Sequence, residues 1–265
     1  MLDPIAYALA RRSAGHGPLM LMYHSVTADR QPDWPWAVSL DRFGQQLDLL
    51  SSLGYRTATM DDIAAGRTSD ADGPVAAITF DDGYEDNLLA VEALARRGMT
   101  ATWFIVSGAI GDEPHWPYDG RPAGRMMDAA ALRGLSAAGI EIGSHTVSHC
   151  RLTEASDTDL ARELADSKST LEDVLGREVR SFAYPYGDWD TRCAEAVRAA
   201  GYRQACTTRT GWALRDGNPY TLRRLTVFNH DTASTLCRKL VLASNDGSLG
   251  ALSRYMAQQL RARLT

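Results

Sequence analysis

A chain of 265 residues with 45% hydrophobic and 23% charged residues has ordinary globular composition and can bury a large core. Its net charge of -5 gives no basic field to attract nucleic acid, so nucleic-acid binding is not expected. Cys150, Cys193, Cys206 and Cys237 form no C-x-x-C pair, which argues against a zinc knuckle or a disulfide framework and fits a reduced compartment.

The elements alternate along the chain. MLDPIAYALARR reads as a helix capped by Asp3 and started by Pro4, with the wrong charge order for a signal peptide. The run that follows, PLMLMYH, is too short to span a bilayer, so a cytoplasmic location is expected. A strand is predicted over Leu19–Tyr23 and ends at His24; a loop over Asp29–Val38, with Trp34, Pro35 and Trp36, leads to a helix over Leu40–Leu53. Next come a strand over Val75–Phe80, a helix over Asn87–Arg97 and a strand over Thr102–Val106. A second long loop, Gly111–Arg125, carries His115, Trp116 and Tyr118. Then follow a helix over Ala129–Ala138, a strand over Ile140–Ser144, a helix over Asp157–Leu175, a strand over Ser181–Tyr184 and a helix over Arg192–Ala199. Strands over Tyr202–Cys206 and Leu222–Phe228 precede an amphipathic terminal helix, Leu249–Leu264, with Arg254, Arg261 and Arg263 on it. His16 and His115 show no partner pattern.

LLSSLGY, LARRGMT, LSAAGIE and VRAAGYR each place Gly just past a helix and an apolar strand soon after. Such βα units build a parallel sheet. Periodicity leaves open whether about seven of them close into a barrel, and no linker divides residues 1–265, which are expected to form one domain with short helical extensions at both ends.

Four strand ends carry chemistry. In ITFDDGY a buried-looking strand stops at Asp81 and Asp82, where parallel-sheet enzymes keep their sites, although Asp-Asp-Gly alone is ordinary turn chemistry. In IEIGSHTVSH a strand ends at His145, with His149 four positions on; a helix there would put both imidazoles on one face. Two histidines and one carboxylate leave open positions on a metal for water and a substrate oxygen, and Asp81 is then free to take the proton from that water. In SFAYPYGDWD a Pro-containing turn with Gly187 exposes backbone N–H groups suited to an oxyanion. His24 ends the first strand, where a histidine can protonate a leaving amine.

Together these segments resemble the polysaccharide deacetylase family, the NodB-homology domain of carbohydrate esterase family 4: TFDDG (79–83), HTVSH (145–149) and YPYG (184–187) match three motifs in order and spacing, over roughly Leu19–Val227. The resemblance implies a distorted (β/α)7-type barrel, Asp81 as catalytic base, and Asp82, His145 and His149 as ligands of one divalent ion, zinc with cobalt or nickel as alternatives. It also implies that the Tyr186 backbone amide is an oxyanion donor. YHSV followed by a helix is similar to the subgroup containing exopolysaccharide deacetylases.

There are departures from the pattern. Ala183 stands where the family has an arginine orienting the base, and Arg223 or Arg224 is the candidate to supply that charge from elsewhere, with an ordinary surface role as the alternative for either. No late Leu-x-x-His motif is present, so His24, then His230, are the candidate acids. Trp34, Trp36, Trp116, Trp189 and Pro185 are candidate substrate contacts. The expected activity is metal-dependent hydrolysis of an N-acetyl group from an amino sugar in a polymer, a lipid-linked intermediate or a small glycoside. Removal of formyl, a non-catalytic carbohydrate-binding relic and a non-haem iron oxygenase are the competing readings. The partner is an N-acetylated carbohydrate, with peripheral membrane contact through the terminal helix as an option; the sequence carries no signature of an oligomeric state.

Overall fold

Seven short parallel strands curl into an incomplete barrel whose seam is bridged by a single residue pair. The computed structural model describes residues 2–12, 17–69, 73–117, 120–121 and 124–264, with backbone alone for 263–264. His16, and Tyr118 in the second expected loop, lie outside the described residues.

In chain order the elements are α1 (Pro4–Ala10), β1 (Leu19–Tyr23), β2 (Ser25–Thr27), β3 (Ala37–Ser39), α2 (Leu40–Ser52), β4 (Arg56–Thr57), α3 (Met60–Ala64), β5 (Val75–Phe80), α4 (Leu88–Ala95) and β6 (Thr102–Ile105). They continue as α5 (Ala129–Ala137), β7 (Glu141–Ser144), α6 (Asp157–Leu175), β8 (Ser181–Ala183), α7 (Thr191–Ala199), β9 (Gln204–Cys206), β10 (Leu225–Thr226), α8 (Ala233–Leu242) and α9 (Leu249–Leu264). The strands β10, β1, β5, β6, β7, β8 and β9 lie side by side in that order, all pairings parallel. The bridge Cys206–Leu222 joins the two ends of this path, giving the expected distorted (β/α)7-type barrel.

The alternation of each strand sorts its side chains into two cores. In β1, Leu19, Leu21 and Tyr23 face the helices, while Met20 points inward to Ala77, Phe104, Ala183 and Cys206. Phe80 and Trp103 stack at 4.2 Å on adjacent strands of the outer core. Asp3 caps α1 with bonds from the Ile5 and Ala6 amides, as expected. Thr59 and Asp62 form a reciprocal capping box on α3.

The segments β2–β3, β4, α3 and α8 were not among the expected elements. The expected strand over Leu222–Phe228 survives as Leu225–Thr226 plus the bridge at Leu222, because Leu222 pairs with β9 while Leu225 pairs with β1. Among the described residues no helix is long and apolar enough to cross a membrane. α9 buries Leu252 and leaves Leu249, Met256 and Leu260 exposed.

Candidate functional site

The carboxyl ends of β1, β5, β7 and β8 deliver His24, Asp81–Asp82, His145 and Tyr184–Gly187 to one rim of the barrel. The loops there are held by backbone bonds to neighbouring strands: the Asp81 amide donates to Tyr23 O, Val106 N to Asp82 O, and His145 N to Ile105 O, at 2.9, 3.2 and 2.9 Å. Four of the five non-glycine residues with positive φ among the described residues sit here: Asp82 (72°), Thr146 (69°), His149 (58°) and Tyr186 (60°). Each costs of order 1–3 kcal/mol, and such strain gathers where a site over-determines the backbone.

That geometry corrects one expectation. No helix begins at the end of β7; His145 to His149 is an irregular turn, with Thr146 and His149 both left-handed, and α6 starts only at Asp157. The imidazoles converge because the turn is pinned and not because of helical spacing: Glu163 of α6 accepts from the Val147 and Ser148 amides at 2.9 and 3.0 Å, Ser167 Oγ donates to Thr146 O at 3.1 Å, and Thr146 Oγ1 accepts from His149 N at 2.9 Å.

Asp82 Oδ1 lies 3.4 Å from His145 Nε2 and 3.3 Å from His149 Nε2, and one potential ligand atom from each residue falls within 4.8 Å of the others. All three side chains are buried, at 4, 2 and 7% exposure for Asp82, His145 and His149. His145 Nδ1 lies 2.7 Å from Ala183 O; an N–H donated there leaves the Nε2 lone pair facing Asp82. Asp82 Oδ1 itself is buried without a hydrogen-bond partner. A carboxylate oxygen opposed by imidazole nitrogens and satisfied by none of them fits a divalent cation between them.

The local field favours positive charge as well. Burial would raise the pKa of Asp82, but the nearby imidazoles of His145 and His149 outweigh it and hold the carboxyl well below its usual range. Burial pushes His145 down, yet Asp82 and Asp81 reverse the sign and raise it. For His24 burial wins, and its pKa falls below the ordinary imidazole value despite Asp82 and Asp81.

Asp81 is paired with Arg224, which is fully buried: Nη1 reaches Oδ1 at 2.6 Å and Nη2 reaches Oδ2 at 2.8 Å. Arg224 Nε also donates to Thr207 O, and Nη1 to Thr79 Oγ1. Burial pushes the Asp81 carboxyl up, and the guanidinium, with His145 and His24 beside it, more than compensates, leaving it below its usual value. Arg223 turns the other way and binds Asp216 at 2.8 and 2.9 Å.

The aromatic candidates divide. Trp116 lies 4.8 Å from His149, and Tyr186 meets His149 edge-on at 4.6 Å while Arg151 sits over the Tyr186 ring. Trp34 and Trp36 pack at 6.2 and 6.0 Å from His24. Trp189 packs 6.4 Å from Tyr184 against the outer core, Pro185 is buried in the turn, and His230 is exposed and stacked on Phe228. Gly187, at φ 73°, is required by the turn, since a Cβ there would overlap Thr208. Two positioning residues escaped the sequence reading: Glu163, beside the buried stripe of α6, and Asn87, which donates to His24 O at 2.7 Å and accepts from Val26 N at 2.8 Å.

Comparison with known proteins agrees with this architecture. Residues 68–205, more than half of the chain, match the family model described as polysaccharide deacetylase. The chain is 29% identical over 211 residues to the Bacillus subtilis (strain 168) protein named "Putative polysaccharide deacetylase YxkH", covering 78% of this chain and 70% of that one. It is 27% identical over 129 residues to the chitooligosaccharide deacetylase of Azorhizobium caulinodans, covering 48% of this chain and about half, 54%, of that one. Among solved structures, IcaB from Ammonifex degensii is similar at a TM-score of 0.72 and 26% identity, covering 86% of this chain and 98% of that one. With the motif order, the barrel and the family match in agreement, the chain belongs to the polysaccharide deacetylase family.

Proposed function

We propose that this protein is a divalent-metal-dependent deacetylase that removes an N-acetyl group from an amino sugar, with zinc as the leading metal. The observation that carries the reading is the orphaned Asp82 Oδ1 between two imidazoles, beside an aspartate held ionised by a buried arginine. Relatives named for chitooligosaccharide and chitin deacetylation support the carbohydrate amide as substrate class.

Asp82, His145 and His149 would hold the ion, which when bound polarises an acyl oxygen and acidifies water. Asp81, kept anionic by Arg224, accepts the proton of the attacking water. The left-handed turn at Tyr186 presents its backbone N–H to the developing oxyanion. His24 gives a proton to the departing amine, and the desolvation that lowers its pKa makes its imidazolium a stronger acid. Trp34, Trp36 and Trp116 line the approach and exclude water.

The test is acetate release from N-acetylglucosamine oligomers and smaller N-acetylamino glycosides, after chelation and after adding back Zn2+ or Co2+. Release is expected to require metal and to fall at least ~100-fold in Asp81→Asn, in line with loss of a general base. Release that ignores chelation, or survives the substitution, refutes the mechanism.

A further inference from the structure

The proposed metal ligands of the second motif and the proposed oxyanion donor leave adjacent strands by separate turns, 145–149 after β7 and 184–188 after β8. The two strands pair at Ser144 and Phe182, and just above that pair His145 Nδ1 meets Ala183 O at 2.7 Å. Further along, the turns are joined by side chains. The Tyr186 ring lies 4.6 Å from the His149 ring, and the Arg151 guanidinium stands 4.1 Å from the centre of the Tyr186 ring while also pairing with the Asp188 carboxylate. One arginine, two positions past His149, thus touches the residues on both sides of Gly187.

The 184–188 turn needs such a hold. Tyr186, at φ 60° and ψ 0°, is a bulky residue in the left-handed region, a conformation that persists only where its surroundings enforce it. The ends of the turn are fixed by backbone bonds, Tyr184 N to Cys206 O at 3.2 Å and Gly187 N to Tyr184 O at 2.9 Å. Thr208 bounds Gly187 so closely that a Cβ there would overlap it. Tyr186 itself is exposed, and its ring is bounded by His149 and Arg151.

Arg151 acts from a fixed base. Leu152, next to it, is fully buried, and Arg192 of α7 donates to Leu152 O and Thr153 O at 3.1 and 3.2 Å. A planar guanidinium stacks on a ring and pairs with a carboxylate at the same time, which a lysine ammonium does less well. The Arg151 and Asp188 side chains are 42 and 40% exposed, a setting in which an ion pair and a cation–π contact add little to global stability. These contacts are therefore suited to aiming a local segment and poorly suited to holding the fold.

We propose that Arg151 is a positioning residue for the deacetylation step: it clamps the left-handed turn so that the Tyr186 backbone N–H is aimed at the developing oxyanion, in register with the turn that carries His149. The proposal rests on the deacetylase reading and adds to it a residue outside the three motifs. Charge on the acyl oxygen develops in the transition state, so a misaimed N–H lowers kcat and leaves substrate binding as it was.

The experiment measures kcat and KM for acetate release from N-acetylglucosamine oligomers in wild type, Arg151→Ala, Arg151→Lys and Asp188→Asn, with zinc affinity by competition with a chromogenic chelator and exchange of the Gly187 amide by NMR. In Arg151→Ala, kcat is expected to fall about tenfold while KM and zinc affinity stay within about twofold of wild type. Arg151→Lys should recover part of the loss, and Asp188→Asn should lose less and add little when combined with Arg151→Ala. The Gly187 amide should exchange about tenfold faster in Arg151→Ala, because the turn opens more often. An unchanged kcat overturns the proposal. So does a rise in KM alone, which would mean direct contact with substrate, or a fall in zinc affinity that matches the fall in kcat, which would place the role of Arg151 in the metal turn. If wild type releases no acetate, the deacetylase reading fails by itself and the exchange data decide the clamp: faster exchange in Arg151→Ala supports it, and equal exchange refutes it.

Discussion

Arg224 grips both oxygens of Asp81 from a position 143 residues further along the chain, with its guanidinium fully buried. In Arg224→Met the carboxylate would be left buried and uncompensated, an arrangement that costs about 3–5 kcal/mol. Because the arginine lowers the Asp81 pKa, its loss raises it. The acidic limb of the pH–kcat/KM profile is therefore expected to move to higher pH, with a fall of about 10–100-fold at neutral pH. Arg224→Lys, which keeps the charge and loses the fork, should lie between. A profile that stays in place would show that the arginine serves packing alone.

How far this site was legible in the sequence follows from which residues act locally. Asp81, Asp82, His145 and His149 sit in short motifs at strand ends, and their convergence on one rim follows once the strands are parallel. The choice between Arg223 and Arg224 is open in the sequence because it depends on which way the chain turns just before β10 as the barrel closes, a property of closure and not of the local pattern. The positive φ values at Thr146 and His149 are invisible in the sequence for a similar reason: the turn is imposed by Glu163 and Ser167 from α6, so the two imidazoles meet without the helix that their spacing suggests. The short β2–β3 pair, Ser25–Thr27 with Ala37–Ser39, brackets the aromatic loop, and three residues on each side are too few for an alternation to show.

Metal binding should be visible without any substrate. A ligand that binds only the folded state at 100 times its Kd stabilises by about 2.7 kcal/mol. Adding Zn2+ to chelated protein is thus expected to raise Tm by several degrees in wild type, and by much less in His149→Ala. Equal shifts in both proteins would place the bound zinc elsewhere.

Glu163 makes no contact with the three proposed ligands, yet three bonds from the 147–148 turn end on its carboxylate. Glu163→Ala frees that turn and should weaken zinc binding about 10–100-fold, the size of effect seen when an outer support of a metal ligand is removed. Competition with a chromogenic chelator measures it. Glu163→Gln, which retains one carbonyl acceptor, should recover part of the loss. Unchanged affinity in Glu163→Ala would mean that the strained backbone at Thr146 and His149 holds its shape without the clamp.

Asp86 gives a prediction whose sign is set by its raised pKa. The folded value, about 6, exceeds the unfolded value, 3.8, so protonated Asp86 favours the fold and ionised Asp86 opposes it. Its favourable contribution is complete below pH 3.8 and is lost as pH rises through about 6. At 1.36 kcal/mol per pKa unit the full loss is about 3 kcal/mol, of which nearly half falls between pH 5 and 7.5. Asp86→Asn stays neutral and keeps an acceptor for Ser25, so its stability relative to wild type should grow by that amount over this interval in urea unfolding. A gap that does not change with pH would mean that Asp86 is ionised throughout, as it would be with a cation already beside it. A gap that opens as expected would identify a carboxylate that burial keeps at a cost to stability.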